Sequence, residues 1–477
     1  MKRRIKLLSL ALAVICPMTT LTAVAQSTEP DDDLIVDWYR YQPGDLDMDG
    51  GDITAADALM ALQAAVGKTT LTDDQKRAAD MDNNGIVQVV DALTILQIAT
   101  GKLIKPARAW LIDDVRNAST DFALELMRRS TNGQENTVVC PLSVQSVLAM
   151  IANGAQNDTL SQMEQVLAGG RSVDELNHYL AGLRVRIEER NDPESSLTLA
   201  NALWLREGFA ANESFLQTVE QYYNAQVTVA PFDEQTRQNI NQWVAQQTDD
   251  MIPELLEMMD PMERMLLVNA VLFQAEWREP YDDIRDASFT TADGQVQQVE
   301  MMNSTEYAYL QDDHAVGFIK PYEGDYSFVA LLPEEGMSVD EYLDTLTGEH
   351  LREMTRGAES IKVYAAMPKF QARCRINGAD ILESMGMTDA FDPGKADLSG
   401  IANDQLYVSR VVSECAINVD EYGTKAAAAT IGGIAGESPD PQPEPFRVVT
   451  LDRPFVYAIV ENITGLPVFF GRMMSVE

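Results

Sequence analysis

The sequence holds little of what enzymes build their chemistry from. Only three of 477 residues are histidine, His178, His314 and His350, and none sits in a catalytic signature. There is no Gly-x-Ser-x-Gly elbow, no His-Glu-x-x-His helix and no phosphate-binding glycine loop. With 74 Asp and Glu, carboxylate pairs are too common to carry a signal. These absences favour a binding or inhibitory protein over an enzyme. Basic residues are also scarce, 36 against the 74 acids, for a net charge of −38. Nucleic acid and anionic membrane surfaces would be repelled. Cysteine is rare, and once Cys16 in the leader is set aside, Cys140, Cys374 and Cys415 are odd in number and far apart. That is no disulfide framework. Three buried, inert thiols fit it, as does one bridge with a free thiol. Beyond the leader, no stretch reaches the ~18–20 apolar residues of a membrane span.

Residues 1–25 read as a secretory signal. Lys2, Arg3, Arg4 and Lys6 form the basic start, residues 7–16 the apolar run, and Ala23-Val24-Ala25 the small-residue cleavage site. Ile15 before Cys16 speaks against a lipoprotein site. The chain is therefore expected to be secreted, extracellular or attached to a cell-surface scaffold. Residues 26–44 form a linker.

Residues 45–68 and 80–102 repeat one another: DLDMDGGDITAADALMALQAAVGK stands beside DMDNNGIVQVVDALTILQIATGK. The second copy places Asp80, Asp82, Asn84 and Asp91 at loop positions 1, 3, 5 and 12, with Gly85 at 6 and Gln88 at 9. That spacing wraps oxygen ligands around calcium, and the glycine permits the sharp turn. The first copy supplies Asp45, Asp47, Asp49 and Asp57, with one extra residue before Ile53. Two calcium ions are expected, and each loop runs into an amphipathic helix, 57–66 and 91–100. A duplicated calcium loop and helix over residues 45–103 resembles a dockerin module. The resemblance implies docking onto a cohesin module of a cellulosome-like scaffold. It places Ala55, Ala56, Val89 and Val90 against the cohesin.

Residues 106–477 show no repeat, linker or low-complexity tract and read as one domain. Helical spacing appears at 141–153, 160–167, 173–188, 213–223 and 240–256, and strand-like runs at 266–273, 328–333, 408–419 and 455–462. Helices first and strands late predict an α+β fold. Several segments in order, among them NTVVCPLSVQSVLAMIANGAQ (136–156), LVNAVLFQAEWREPY (267–281), MPKF (367–370) and DRPFVYAIVENITGLPVFFGRM (452–473), resemble the serpin family. The resemblance implies helices around a large mixed sheet with an exposed reactive loop. It also implies monomeric action as a suicide substrate of serine proteases. In the middle of that sheet, Ser143 and Asn269 match the family, while Ser413 stands where a histidine is usual. Cys140 replaces the usual serine before Pro141.

One further absence is informative: no proline occurs from 422 to 438, then four fall within 439–445. Proline cannot donate to a central strand, and small residues can slide between strands without overpacking. Glu421, Gly423 and Thr424, followed by Ala426, Ala427, Ala428 and Ala429, resemble the hinge of a loop that inserts into the sheet after cleavage. The family's spacing from the hinge sets the scissile bond at Glu437–Ser438, for a Glu-preferring protease. A cut after Ala435 or Gly436 by a subtilisin-like or elastase-like enzyme is the alternative. The other overall reading is a non-inhibitory binding or structural component of the same scaffold.

Overall fold

The computed structural model describes residues 44–47, 53–81, 86–100, 113–131, 133–260, 262–424 and 445–476. They divide into two compact units, Met1–Leu96 and Gln97–Glu477.

In the first unit the helices are α1 (Ala55–Ala65), α2 (Asp73–Ala79) and α3 (Val89–Ala99, whose last turn crosses the division). Helices α1 and α3 each begin two residues before the expected start. Thr54 caps α1 by accepting from Ala56 N while Asp57 binds back to Thr54, so the last loop aspartate lies inside the first turn. Helix α2 starts on the same kind of reciprocal cap, Thr72 with Gln75. Leu46, Ala61, Ala79 and Ile95 form the dry centre of this unit.

The second unit opens with α4 (Asp113–Ser130), β1 (Thr137–Val139), α5 (Pro141–Ala152), α6 (Asn157–Ala168) and α7 (Val173–Arg190). Next come β2 (Ser195–Arg206), α8 (Glu213–Tyr223), β3 (Gln226–Ala230), α9 (Glu234–Gln247) and β4 (Met265–Glu276). A run of strands follows: β5 (Asp283–Thr290), β6 (Val296–Gln311), β7 (Ala315–Pro321) and β8 (Tyr326–Pro333). After α10 (Val339–Thr345) and α11 (Gly348–Arg356) come β9 (Glu359–Pro368), β10 (Phe370–Asn377), α12 (Gly378–Ser384), β11 (Val412–Val419) and β12 (Gly423–Thr424). The chain closes on β13 (Phe446–Thr450), β14 (Phe455–Glu461) and β15 (Pro467–Met473).

Among the described residues these strands form two sheets. A nine-stranded sheet runs β1-β15-β14-β8-β7-β6-β9-β13, with β5 paired to β6, and a six-stranded sheet runs β10-β11-β12-β4-β2-β3. β8, β14 and β15 are buried along their whole length, which explains why they read as continuous apolar runs rather than alternating ones. The main core lies between the sheets and the early helices. A second cluster lies under α9, where Ile240 and Val244 pack with Trp204 and Val268 of β2 and β4.

The helical spacing over 240–256 overruns the real helix. Thr248 turns its hydroxyl back to Val244 O and then accepts from Ile252 N. Asp249 and Asp250 follow with positive φ, 49° and 61°, and that ends α9 at Gln247. Residues 408–411, expected as strand, precede β11.

Candidate functional site

The six-stranded sheet has an unusual centre. β4 pairs with β2 on one edge, and β11 pairs with β10 on its far edge. Among the described residues, β4 and β11 are linked only through the two residues of β12. Thr424 sits opposite both Val419 and Ala275, and Gly423 sits opposite Glu276. Since β12 pairs with both neighbours, the two walls stand two strand spacings apart, about 9.6 Å. At β12 the sheet is thus open by one strand width, and Gly423 and Thr424 fill that slot.

The entrance is densely bonded. Asp420 uses one carboxylate oxygen to accept from Tyr422 N and Gly423 N, an Asx turn that reverses the chain out of β11. Trp277 N donates to Tyr422 O, Trp277 Nε1 to Asp420 O, and Tyr281 N to Glu421 O. Gly423 is required by close approach, since a Cβ there would run into the Ala275 carbonyl and lie 2.8 Å from Glu276 Cα. Thr424 is 1% exposed, and its hydroxyl shares a 2.6 Å hydrogen bond with the Tyr322 phenol. Tyr322 stacks on Trp277 at 4.1 Å, and burial raises its phenol far above the ordinary value. Glu421 pairs with Lys369 at 2.9 Å. Burial pushes the Glu421 carboxyl up, but the Lys369 ammonium outweighs it and holds the group below the usual glutamate value.

Of the three residues expected to hold the sheet together, the walls carry two, Asn269 and Ser413, and Ser143 lies on α5. Asn269 of β4 donates to Asn201 on β2 at 2.8 Å, and its buried carbonyl oxygen has no partner among the described residues. Ser413, on β11, lies on the same buried face of its strand as Cys415 and beside its thiol. Ser143 is buried in the first turn of α5, where its N–H donates to Cys140 O. No described hydrogen bond crosses from Asn269 to Ser413. All three remaining cysteines are free thiols.

Ala426, Ala427, Ala428, Ala429, Glu437 and Ser438 lie outside the described residues, as do Asp49, Asp82 and Asn84. In the first unit, carboxylate oxygens of Asp45, Asp47 and Asp57 lie within 4.8 Å of one another. Asp57 accepts from Leu46 N, Asp47 N and Thr54 N. Burial pushes its carboxyl up, and the bonds from Thr54, Asp47 and Leu46 more than offset this and hold it below the usual aspartate value. Asp91 accepts in parallel from Met81 N and Gln88 N. The two loops thus recover one register after the extra residue in the first. Asp80 is half-buried and Gln88 exposed.

Ala55, Ala56, Val89 and Val90 are all exposed in the first turns of α1 and α3. Leu59 and Leu62 on α1, and Leu93 and Leu96 on α3, extend the exposed apolar surface at matching offsets. Sequence reasoning stopped short of these leucines, although Leu59 and Leu93 follow the named positions by three and four residues, and Leu62 and Leu96 by six and seven, all marking the same helix face. It also missed Tyr322 and Lys369, which no local pattern ties to the hinge.

Comparison with known proteins bears on the second unit. The family described as Serpin (serine protease inhibitor) matches residues 117–476. An uncharacterized serpin-like protein of Thermococcus kodakarensis is 31% identical over 76% of this chain and 85% of its own length. Leukocyte elastase inhibitor A of Mus musculus is 32% identical over 76% of this chain and all of its own. The thermophilic serpin Tengpin in its native state superposes with a TM-score of 0.71 at 42% identity, covering 76% of this chain and 94% of that one. Among the described residues no helix is long and apolar enough to cross a membrane. With the family match spanning both sheets and the slot between β4 and β11, the chain belongs to the serpin family of protease inhibitors.

Proposed function

We propose that this serpin is a secreted suicide-substrate inhibitor of serine proteases, moored to a cohesin-bearing extracellular scaffold by its N-terminal calcium module. The observation that carries the inhibitory reading is the seating of Thr424 between β4 and β11. A protease serine attacking the Glu437–Ser438 bond forms an acyl-enzyme. The freed strand follows Thr424 into the slot, Ala426 and Ala428 turning inward at the strand period of two. Each residue added gains ladder bonds to two walls, and the attached protease is dragged with it before water can release it. Relatives named leukocyte elastase inhibitors are the reason to keep the cut after Ala435 or Gly436 as the second reading.

Incubation with a panel of Glu-preferring, subtilisin-like and elastase-like proteases is expected to give an SDS-stable complex, with mass spectrometry placing the new N-terminus at Ser438. Glu437→Arg should transfer inhibition to trypsin-like enzymes, since the residue before the cut fills the specificity pocket. Cleavage mapped elsewhere and indifferent to this substitution would refute the register. Loop cleavage with no stable complex from any protease would favour the non-inhibitory scaffold component.

The mooring reading rests on the loops. Asp45, Asp47 and Asp57 converge as a hard oxygen donor set, and Asp80 and Asp91 occupy the matching places in the second copy. Calcium there would neutralise carboxylates that otherwise repel. The exposed apolar faces of α1 and α3 suit a partner surface. Calorimetry of the full chain is expected to show two calcium ions bound. Asp80→Ala should weaken cohesin binding at least tenfold and leave protease inhibition unchanged. Absence of calcium uptake would overturn the mooring while sparing the inhibitor.

A further inference from the structure

The three cysteines, far apart in sequence, meet in space. Cys374 and Cys415 are direct partners across the β10–β11 ladder, so both side chains point to the same face of the sheet. Directly opposed residues on antiparallel strands have Cα atoms about 4.5–5.5 Å apart. Disulfides span Cα distances of about 4.4–6.8 Å. Cys140, the N-cap residue of α5, follows directly on β1, which packs against both β10 and β11, and its thiol interacts with that of Cys415. Cys140 and Cys415 are buried and Cys374 is half-buried. Ser413 lies beside Cys415, and the Glu135 and Glu414 carboxylates and the Tyr457 phenol lie around the cluster.

We propose that Cys415 is the shared sulfur of an oxidation-sensitive disulfide site, entered through Cys374 and closing on either Cys374 or Cys140. The oxidant is a small disulfide of the glutathione class. The Cys374 thiolate attacks one glutathione sulfur, the glutathione S–S bond breaks, and one glutathione leaves as thiolate. The Cys415 thiolate then attacks Cys374 sulfur and expels the second glutathione. Cys140 can in turn attack Cys415, which returns Cys374 to the free thiol. Each step breaks one S–S bond and makes one, and overall two protein thiols are oxidised while one glutathione disulfide is reduced to two thiols. Burial raises the Cys374 thiol, and the neighbouring Cys140 thiol together with burial raises that of Cys415, so the site reacts slowly at neutral pH and stays reduced unless the oxidant persists. The consequence is mechanical. α5 packs against β4, and β11 is the opposite wall of the slot. A Cys140–Cys415 bond fastens one wall to the helix that supports the other.

The test is a series of glutathione redox buffers applied to the native full chain, read by intact mass and by mapping a non-reduced digest. One intramolecular disulfide per chain is expected, always containing Cys415, with one thiol left over. Cys374→Ser should slow its formation roughly tenfold by removing the entry thiol, and Cys140→Ser should leave only the Cys374–Cys415 bond. Cys415→Ser, with Cys415→Ala as a second variant should the first fail to fold, should give no intramolecular bond and a glutathione adduct on Cys374. A Cys140–Cys374 bond, a disulfide persisting in the Cys415 variants, or a native wild type that stays reduced where the denatured chain oxidises would each overturn the proposal.

Discussion

The entrance and the middle of the slot between β4 and β11 are built in opposite ways. At the entrance, Asp420, Trp277, Tyr281, Tyr322 and Lys369 hold four consecutive residues of the hinge, and Thr424 is already in strand register. In the middle, Asn269 turns to its own side, Ser413 lies beside Cys415, and nothing described ties one wall to the other. A sheet that already holds the first two residues of a new strand at one end is organised for propagation. Nucleating a strand is the costly step, and here the first pairs exist before cleavage. What controls entry is therefore the fit of two residues, Gly423 and Thr424, more than the strength of a central clasp.

Breaking the entrance should have the larger effect. Gly423→Val sets a branched side chain against the Ala275 carbonyl and Glu276 Cα, neither of which can yield without moving β4. Overpacking of this kind costs about 1–3 kcal/mol. The hinge should leave the sheet, and the number of inhibitor molecules consumed per protease blocked should rise several-fold, read by titration against one responsive enzyme. Sharpening the middle should do less. Ser413→His places a longer donor on β11, able to seek the Asn269 oxygen that has no partner among the described residues. A gained buried hydrogen bond is worth about 1 kcal/mol. It should raise the melting temperature by roughly 2 °C and slow heat-induced loop insertion, measured as loss of inhibitory activity on incubation. If Ser413→His matched Gly423→Val in its effect on inhibition, the contrast between entrance and middle would not hold.

How far this was legible follows the range of each interaction. The repeat, the hinge and most strands announce themselves through local order: residues 213–223 read as a helix and are α8, and 266–273 falls within β4. Helix α2 carries an unread signal, Thr72 three residues before Gln75. Helix α9 reads too long because Thr248 and two left-handed aspartates interrupt a pattern whose apolar spacing continues past them. The site itself is only half visible. Thr424 is marked by its place before the alanines, but its bond to Tyr322 joins residues about a hundred positions apart, and Glu421 meets Lys369 from the link between β9 and β10. The thiol cluster is likewise invisible until β10, β11 and α5 are folded together.

The most direct test is Thr424→Arg against one protease that forms the stable complex, wild type beside variant. Thr424 is buried between two strands and bonded to Tyr322, so arginine would carry an unpaired charge into the slot at a cost of several kcal/mol. The loop should remain as cleavable as before while insertion slows, so deacylation wins and the protein becomes a substrate. The stoichiometry of inhibition should climb at least tenfold, and cleaved Thr424→Arg should gain less heat resistance than cleaved wild type. An unchanged stoichiometry, with the covalent complex forming in full yield, would contradict the account that the seated hinge starts the inserting strand.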